Sequence, residues 1–183
     1  MGWKEVAFEK GEQYPKKRRF GITFSKSIEF ECYFDKSCLY DPTQFPKEDW
    51  QDINKLIGFS TTYYHHKQSG RFGWRPSLKN PDKIELITYS YNSGKRDNSD
   101  SNVVANVYPE EKFWGKITDY ESHYLYEIKK SDPKYGTIRI TDTDYKEKDW
   151  FFFHYILNPY FGGNNPTPHN MKLYIKPKVL LYF

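Results

Sequence analysis

Alanine is almost missing from this chain: in 183 residues it stands only at positions 7 and 105. The residue that best favours helix is therefore scarce, and β-branched and aromatic residues take its place, so the composition leans towards strands. Cysteine is nearly as rare. Cys32 and Cys38 are the only two, six apart, with no nearby His or further Cys to complete a tetrahedral zinc site. On one strand they would stand too far apart to bridge, at about 3.3 Å rise per residue. They are expected as two free, partly buried thiols, which suits a reducing compartment. Long apolar runs are lacking as well. Nothing approaches the roughly 20 residues that span a bilayer, and Met1–Lys10 has no apolar run of leader length. Strong charge of one sign is also lacking: 28 basic against 24 acidic residues leave +4. That excess is too mild to argue for nucleic acid, and the one basic run, Lys16–Arg19, reads as a solvated strand start.

What the chain does have is aromatic mass. Phe, Trp and Tyr make up 20% of it, 17 of them Tyr, and each buries roughly 150–250 Å². A core can be built from few such side chains. Period-2 alternation carries most segments. Ile28, Phe30, Cys32 and Phe34 fall on even positions, with Glu29, Glu31 and Tyr33 between them. Asn54–His65 reads as a strand with Gly58 at a bulge or a close backbone approach. Lys83–Tyr91 is apolar on both faces, so it is expected to be central. Pro46–Ile53 is the one helical turn. Phe113–Thr118 and His123–Lys129 form a hairpin, Tyr135–Thr141 alternates, and Trp150–Leu157 reads as an aromatic strand buried on both faces. Turn signals every 8–15 residues separate about ten to twelve strands, the spacing of a sandwich or barrel.

Few residues offer chemistry. No G-x-S-x-G, phosphate loop or H-E-x-x-H is present. Glu29 and Glu31 have the spacing of a glycosidase carboxylate pair, although the plainer reading is a solvent face with basic partners. His65, His66 and Arg71, with Tyr63, could assemble a lyase site, although strand neighbours point opposite ways. Asp142, Asp144 and Glu147 could offer oxygen ligands to calcium, yet they lack the central glycine of the EF-hand loop, and a solvated acidic loop is the better reading. The loop Asn158–Asn170 is stiffened by Pro159, Pro166 and Pro168 and loosened at Gly162-Gly163. It could present Tyr160, Asn164, Asn165 and His169 to a sugar, with Phe161 plugging the core. On the hairpin, Trp114, Tyr120, Tyr124 and Tyr126 could form a glycan platform, a subunit contact or plain cross-strand packing. No metal and no cofactor are expected.

Three stretches carry a family likeness: Lys55-Leu-Ile-Gly-Phe59 with His65-His66 and Arg71-Phe-Gly-Trp-Arg75; Lys83–Tyr91 into Asn92-Ser-Gly-Lys-Arg96; and Pro159-Tyr-Phe-Gly-Gly-Asn164 into Pro168-His-Asn-Met171. Together they resemble uncharacterised small β-sandwich proteins of gut Bacteroidetes and their tailed phages, including crAss-like phages. The strand order is similar to the concanavalin A-like (lectin/glucanase) jelly roll. That resemblance implies no transferable activity, and the E-x-D-x-x-E strand of the glucanase class is incomplete here, since position 34 is Phe.

The resulting expectation is an all-β, antiparallel two-sheet sandwich of jelly-roll, concanavalin A-like form. It spans 1–183 as one domain, with 1–19 as an extended N-terminal arm. The function expected first is a noncatalytic binding or assembly module, a phage virion or surface-associated protein recognising glycan or a protein subunit, located in a virion or the cytoplasm. An oligomer or virion assembly fits that reading, and neither nucleic acid nor membrane is expected as a partner. Its ligand-facing residues would be Tyr160, Asn164, Asn165, His169, Trp114, Tyr124 and Tyr126. The alternative is a glycan-cleaving enzyme, a polysaccharide lyase or glycoside hydrolase, on the same fold, with His65, His66, Arg71, Glu29 and Glu31 in its cleft. A concave cleft where histidines or paired carboxylates converge with displaced pKa values separates the two.

Overall fold

The computed structural model describes residues 2–18, 21–96, 102–120, 122–131, 136–141, 153–178 and 181–182. Thirteen strands in this range form two antiparallel sheets. The six-stranded sheet runs β1 (Lys4–Phe8), β12 (Met171–Pro177), β3 (Ser27–Phe34), β8 (Phe113–Asp119), β9 (Tyr124–Lys130) and β10 (Thr137–Thr141). The seven-stranded sheet runs β13 (Leu181–Tyr182), β2 (Gly21–Thr23), β11 (His154–Leu157), β4 (Asn54–Ser60), β5 (Ser69–Pro76), β6 (Ile84–Tyr91) and β7 (Val103–Val107). The all-β sandwich read from the alternation is the observed architecture. Within the stretch expected as an N-terminal arm, β1 is the edge strand of the six-stranded sheet, with Val6 paired to Leu173. The helical turn expected over Pro46–Ile53 is a 3-10 turn, Lys47–Asp49, preceded by two others at Lys36–Cys38 and Pro42–Gln44.

The six-stranded sheet shows why alternation was readable. Along β3 the even residues Ile28, Phe30, Cys32 and Phe34 are fully buried, and the odd ones are half-exposed. Strands β8, β9 and β12 repeat the pattern. Inward rings meet across the gap: Phe30 lies 5.6 Å from Phe72 at 73°, and Phe34 lies 5.0 Å from Trp74. Such tilted contacts each add about 0.5–1.5 kcal/mol beyond area burial. Both cysteines are free, and both are wholly buried rather than partly so. Burial pushes both thiols upward, so neither is a reactive thiolate.

The seven-stranded sheet follows another rule. Every residue of β4 and β5 is buried, on both faces. The inner face carries Phe72 and Trp74 into the core. The outer face carries Lys55, Arg71 and Arg75, polar groups that only a covering layer can bury. That layer comes from the segment after β1 and from the loop after β11. Phe161 N–H donates to the Gln13 carbonyl at 2.8 Å, and the Lys55 and Tyr160 main chains bond reciprocally at 2.7 and 2.9 Å.

Candidate functional site

A cleft of about 560 Å³ lies on the outer face of the seven-stranded sheet, a size ordinary for a ligand site. Its floor is Lys55 from β4, Arg71 from β5 and Tyr89 and Tyr91 from β6. One wall holds His65 and His66 from the β4–β5 loop, and the facing wall holds Asn158, Tyr160 and Asn164 from the loop after β11. Tyr14, Arg18 and Arg96 also line it; among the described residues neither Asp nor Glu contributes to it.

Local chain geometry places these groups. Gly58 sits opposite Arg71, where the β4–β5 register shifts. A Cβ there would lie 2.2 Å from the Gly70 carbonyl oxygen, so only glycine lets the two strands approach. Both parts of the sequence reading of Gly58, bulge and close approach, hold. The loop wall is held from below. Gly162 N–H donates to Asn54 Oδ1 at 2.6 Å, Gly163 N–H to Asp52 Oδ2 at 3.1 Å, and Asn165 Nδ2 to Asp49 Oδ2 at 2.8 Å. Gly162 has φ +66°, the left-handed region that favours glycine. Phe161 plugs the core 5.4 Å from Tyr40.

Electrostatics mark the floor. The Lys55 ammonium donates to the Gly162 carbonyl at 2.6 Å, and its Nζ lies 5.2 Å from the Tyr89 ring and 5.4 Å from the Tyr160 ring. Burial, then repulsion from Arg71 and Arg96, pulls its pKa down to about 7, against a smaller pull from Asp52. Arg71 is 6% exposed; its Nη2 donates to the Asn158 carbonyl at 2.5 Å, and its Nε is buried without a partner among the described residues. No acidic side chain in the described residues pairs with it, and desolvation lowers it to about 10. His65 falls to about 4, by burial first and then by the charges of His66, Arg71 and Lys55. Burial raises the Tyr91 and Tyr160 phenols. The floor is thus a set of desolvated cations with no buried counter-charge on the lining.

Of the residues singled out in sequence, His65, His66, Arg71, Tyr160 and Asn164 meet here. Asn165 braces the loop through Asp49, and His169 Nε2 lies 2.8 Å from the Ser37 carbonyl oxygen, outside the cleft lining. Tyr124 and Tyr126 are a correction. They are 0% and 1% exposed because β9 turns its even residues into the sandwich, so they are not a ligand platform. The Tyr126 hydroxyl instead accepts from the Arg71 main-chain N–H at 3.1 Å and positions the cleft floor from beneath. Trp114, Glu29 and Glu31 lie on the outer face of the six-stranded sheet, away from the cleft. Trp114 Nε1 donates to Glu29 at 2.6 Å, Lys178 pairs with Glu29 at 2.6 Å, and Lys176 pairs with Glu31 at 3.3 Å. Burial opposes it, but the bonds from Lys178 and Trp114 hold Glu29 below its ordinary range, the reverse of a general acid. Asp142, Asp144 and Glu147 lie outside the described residues. Among the described residues no cluster of three His, Cys, Asp or Glu could hold a metal ion, and no helix is long and apolar enough to cross a membrane.

Sequence reasoning missed Lys55, Tyr89, Tyr91, Arg96, Tyr14 and Arg18. One signal was present: a cation such as Lys55 or Arg71 inside a strand whose neighbours are apolar on both sides has to be covered by something.

No family model matches the sequence, and no curated protein matches it. The resemblance to small β proteins of gut Bacteroidetes and phages therefore rests on the sequence alone. Solved structures do match. An alginate lyase from Klebsiella pneumoniae superposes with a TM-score of 0.51 at 13% identity, over 86% of this chain and 59% of that one. A xylan β-1,4-xylosidase from Bacillus halodurans C-125 gives 0.44 at 9% identity, over 96% of this chain and 33% of that one. The chain thus spans about a third of the xylosidase and under two thirds of the lyase. Identity this low establishes the jelly-roll sandwich and nothing finer.

The noncatalytic expectation is corrected at this point. The expectation for an enzyme was a concave cleft where histidines or paired carboxylates converge with displaced pKa values; His65, His66 and Arg71 meet in one, and His65 and Arg71 are displaced downward. One solved structure that shares the fold, the alginate lyase, is an enzyme, a property of that protein.

Proposed function

We propose that the protein is a polysaccharide lyase that cleaves an acidic, uronate-containing glycan by β-elimination. The observation that carries this reading is Arg71: a buried guanidinium at the base of a sugar-sized cleft, beside Lys55, with no acidic partner among the described residues. A buried cation without a counter-ion is costly unless a ligand supplies one, and a guanidinium fork fits a carboxylate. The likeness in fold to an alginate lyase agrees with this reading. A hydrolase needs two carboxylates flanking the bond, and among the described residues no Asp or Glu lines the cleft.

In this reading Arg71 neutralises the uronate carboxylate, which acidifies the proton on the adjacent ring carbon. Lys55, neutral above pH about 7, takes that proton. The electron pair left on carbon forms a double bond to the next ring carbon as its bond to the glycosidic oxygen breaks. Tyr160, whose phenol stays protonated, gives a proton to the departing oxygen. His66 and Asn164 line the walls where sugar hydroxyls would lie.

The test is incubation of the purified protein with a panel of uronate polysaccharides and neutral glycans. New ultraviolet absorbance from unsaturated ends, confined to acidic polymers and lost in Arg71→Met, is the expected result. Cleavage that releases saturated reducing ends only would overturn elimination.

A further inference from the structure

The two most exposed aromatic side chains among the described residues are neighbours on the loop that carries one wall of the cleft. Tyr63 is 87% exposed and Tyr64 65%. Soluble proteins rarely leave such rings together in water without a use. Both stand on the β4–β5 loop, two residues before His65 and His66. From the cleft outward Tyr91 lies 5.1 Å from His66 and His66 5.3 Å from Tyr64; Tyr63, the neighbour of Tyr64 in sequence, lies 6.1 Å from Tyr155 of β11 at 83°. Tyr155 lies two residues before Leu157 on β11, so both face the same side of the sheet, and Leu157 lines the cleft. The row continues to Phe153, 5.3 Å from Tyr155.

The loop that presents these rings is not slack. Ser60 Oγ donates to the carbonyls of Thr62 and Gln68 at 2.6 and 2.8 Å, Thr62 Oγ1 to the Tyr64 carbonyl at 2.8 Å, and Lys67 N–H to the same carbonyl at 2.9 Å. The edge-to-face contact of Tyr63 with Tyr155 leaves most of the Tyr63 ring open to solvent. The loop hydrogen bonds use main-chain atoms of Tyr64 and not its ring, so the rings are exposed on an ordered scaffold and are not needed to fold it.

We propose that Tyr63, Tyr64 and Tyr155 form an aromatic track on which the glycan chain continues beyond the cleft, so that the preferred substrate is a polymer bound across several sugars. This deepens the lyase reading and rests on it. The occupant is the substrate chain because the track is continuous with the cleft, through His66 on one side and Leu157 on the other. A pyranose presents an apolar face of C–H groups to a ring while its hydroxyls stay wet, the same division that Tyr offers with its apolar body and polar tip.

The test compares wild type with the double variant Tyr63→Ala/Tyr64→Ala and with Tyr155→Leu, on long chains and on short oligosaccharides of one acidic glycan. The track requires KM for long chains to rise by about thirtyfold in the double variant, since it removes two ring contacts worth ~1 kcal/mol each. Values for kcat, and for KM on the short oligosaccharides, stay within about twofold. Equal KM for long chains in wild type and both variants overturns the track and leaves the lyase reading standing. If wild type cleaves no acidic polymer, the lyase reading fails; affinity electrophoresis through polymer-containing gels then decides the track, which stands only if retardation falls in the double variant. A wild-type dimer in light scattering that the double variant abolishes assigns the rings to a protein contact and overturns the track.

Discussion

Arg71 on β5 donates from Nη2 to the main-chain oxygen of Asn158 at 2.5 Å, joining the floor of the cleft to its wall. The rest of the guanidinium has no counter-charge: its Nε is buried and unpaired among the described residues. A buried cation without an acidic partner is costly to the fold, and in the lyase reading an anionic sugar supplies the missing charge. Arg71→Met removes a buried charge, and such replacements are often neutral or stabilising by about 1–4 kcal/mol. The variant is expected to lose roughly a hundredfold or more in kcat/KM on acidic glycan, while its urea midpoint holds or rises. Arg71→Lys should rescue little, because an ammonium does not reproduce the planar fork. Kinetics paired with urea titration would check both.

Lys55 gives the pH dependence. Its folded pKa lies near 7, below the ~10.4 of an unfolded lysine. Below pH 7 both states carry the proton, and the folded state bears the full cost of a buried charge. Between pH 7 and about 10 the unfolded state binds more protons than the folded one, so stability rises with pH across that window. Chemical unfolding from pH 6 to pH 10 should show this rise in wild type and lose it in Lys55→Met. In the lyase reading kcat climbs over the same lower limb, because only the neutral amine accepts a proton. Lys55→Arg should abolish turnover at every pH.

The sandwich was legible because four strands of the six-stranded sheet alternate cleanly, with water on one side. Ile28, Phe30, Cys32 and Phe34 announced their face before any coordinate. The same clarity misled at Tyr124 and Tyr126. Period 2 gives them one shared face but does not say which, and polar hydroxyls suggested the outside. The Tyr126 hydroxyl is satisfied indoors, by the Arg71 main chain and by Ser90 at 2.7 Å. The cleft was half legible. His65, His66 and Arg71 are near neighbours in the chain, whereas Tyr14, Lys55, Tyr89 and Tyr160 converge only through strand pairing and a loop that returns after β11. With β4 and β5 buried on both faces, alternation carries no information about which residues line a site.

Inside the sandwich, His154 Nε2 lies 2.7 Å from Asp119 Oδ2, and both side chains are almost wholly buried. The pair ties β11 of one sheet to β8 of the other beneath Phe59, whose ring is 4.8 Å from the imidazole. His154→Leu removes one partner of a core carboxylate and should cost up to about 3–5 kcal/mol. His154→Leu/Asp119→Leu should recover much of that loss, since no polar group is then stranded. A double-mutant cycle by denaturant unfolding measures the coupling, and equal stability of the single and double variants would remove the pair from the account of what holds the sheets together.

Gly58→Ala tests whether the site depends on how closely β4 and β5 approach. The added methyl would stand 2.2 Å from the Gly70 oxygen, 2.6 Å from the Arg71 Cα and 2.6 Å from the Arg71 Cγ. Two of these three atoms are main chain and cannot swing aside, so the strands must part where the register already shifts. Overpacking of this kind costs about 1–3 kcal/mol. The displacement falls on Arg71, whose guanidinium has no acidic partner among the described residues, so in the lyase reading activity should fall further than stability does. Hydrogen exchange should show protection lost at Gly58, Gly70 and Arg71, with the amides of β3, β8 and β9 unchanged. In the lyase reading, activity on acidic glycan should drop by at least about tenfold at a temperature where the variant is still folded, the consequence of moving the carboxylate-binding group by about 1 Å. A variant that keeps wild-type kcat/KM while losing stability would detach the cleft chemistry from the β4–β5 contact.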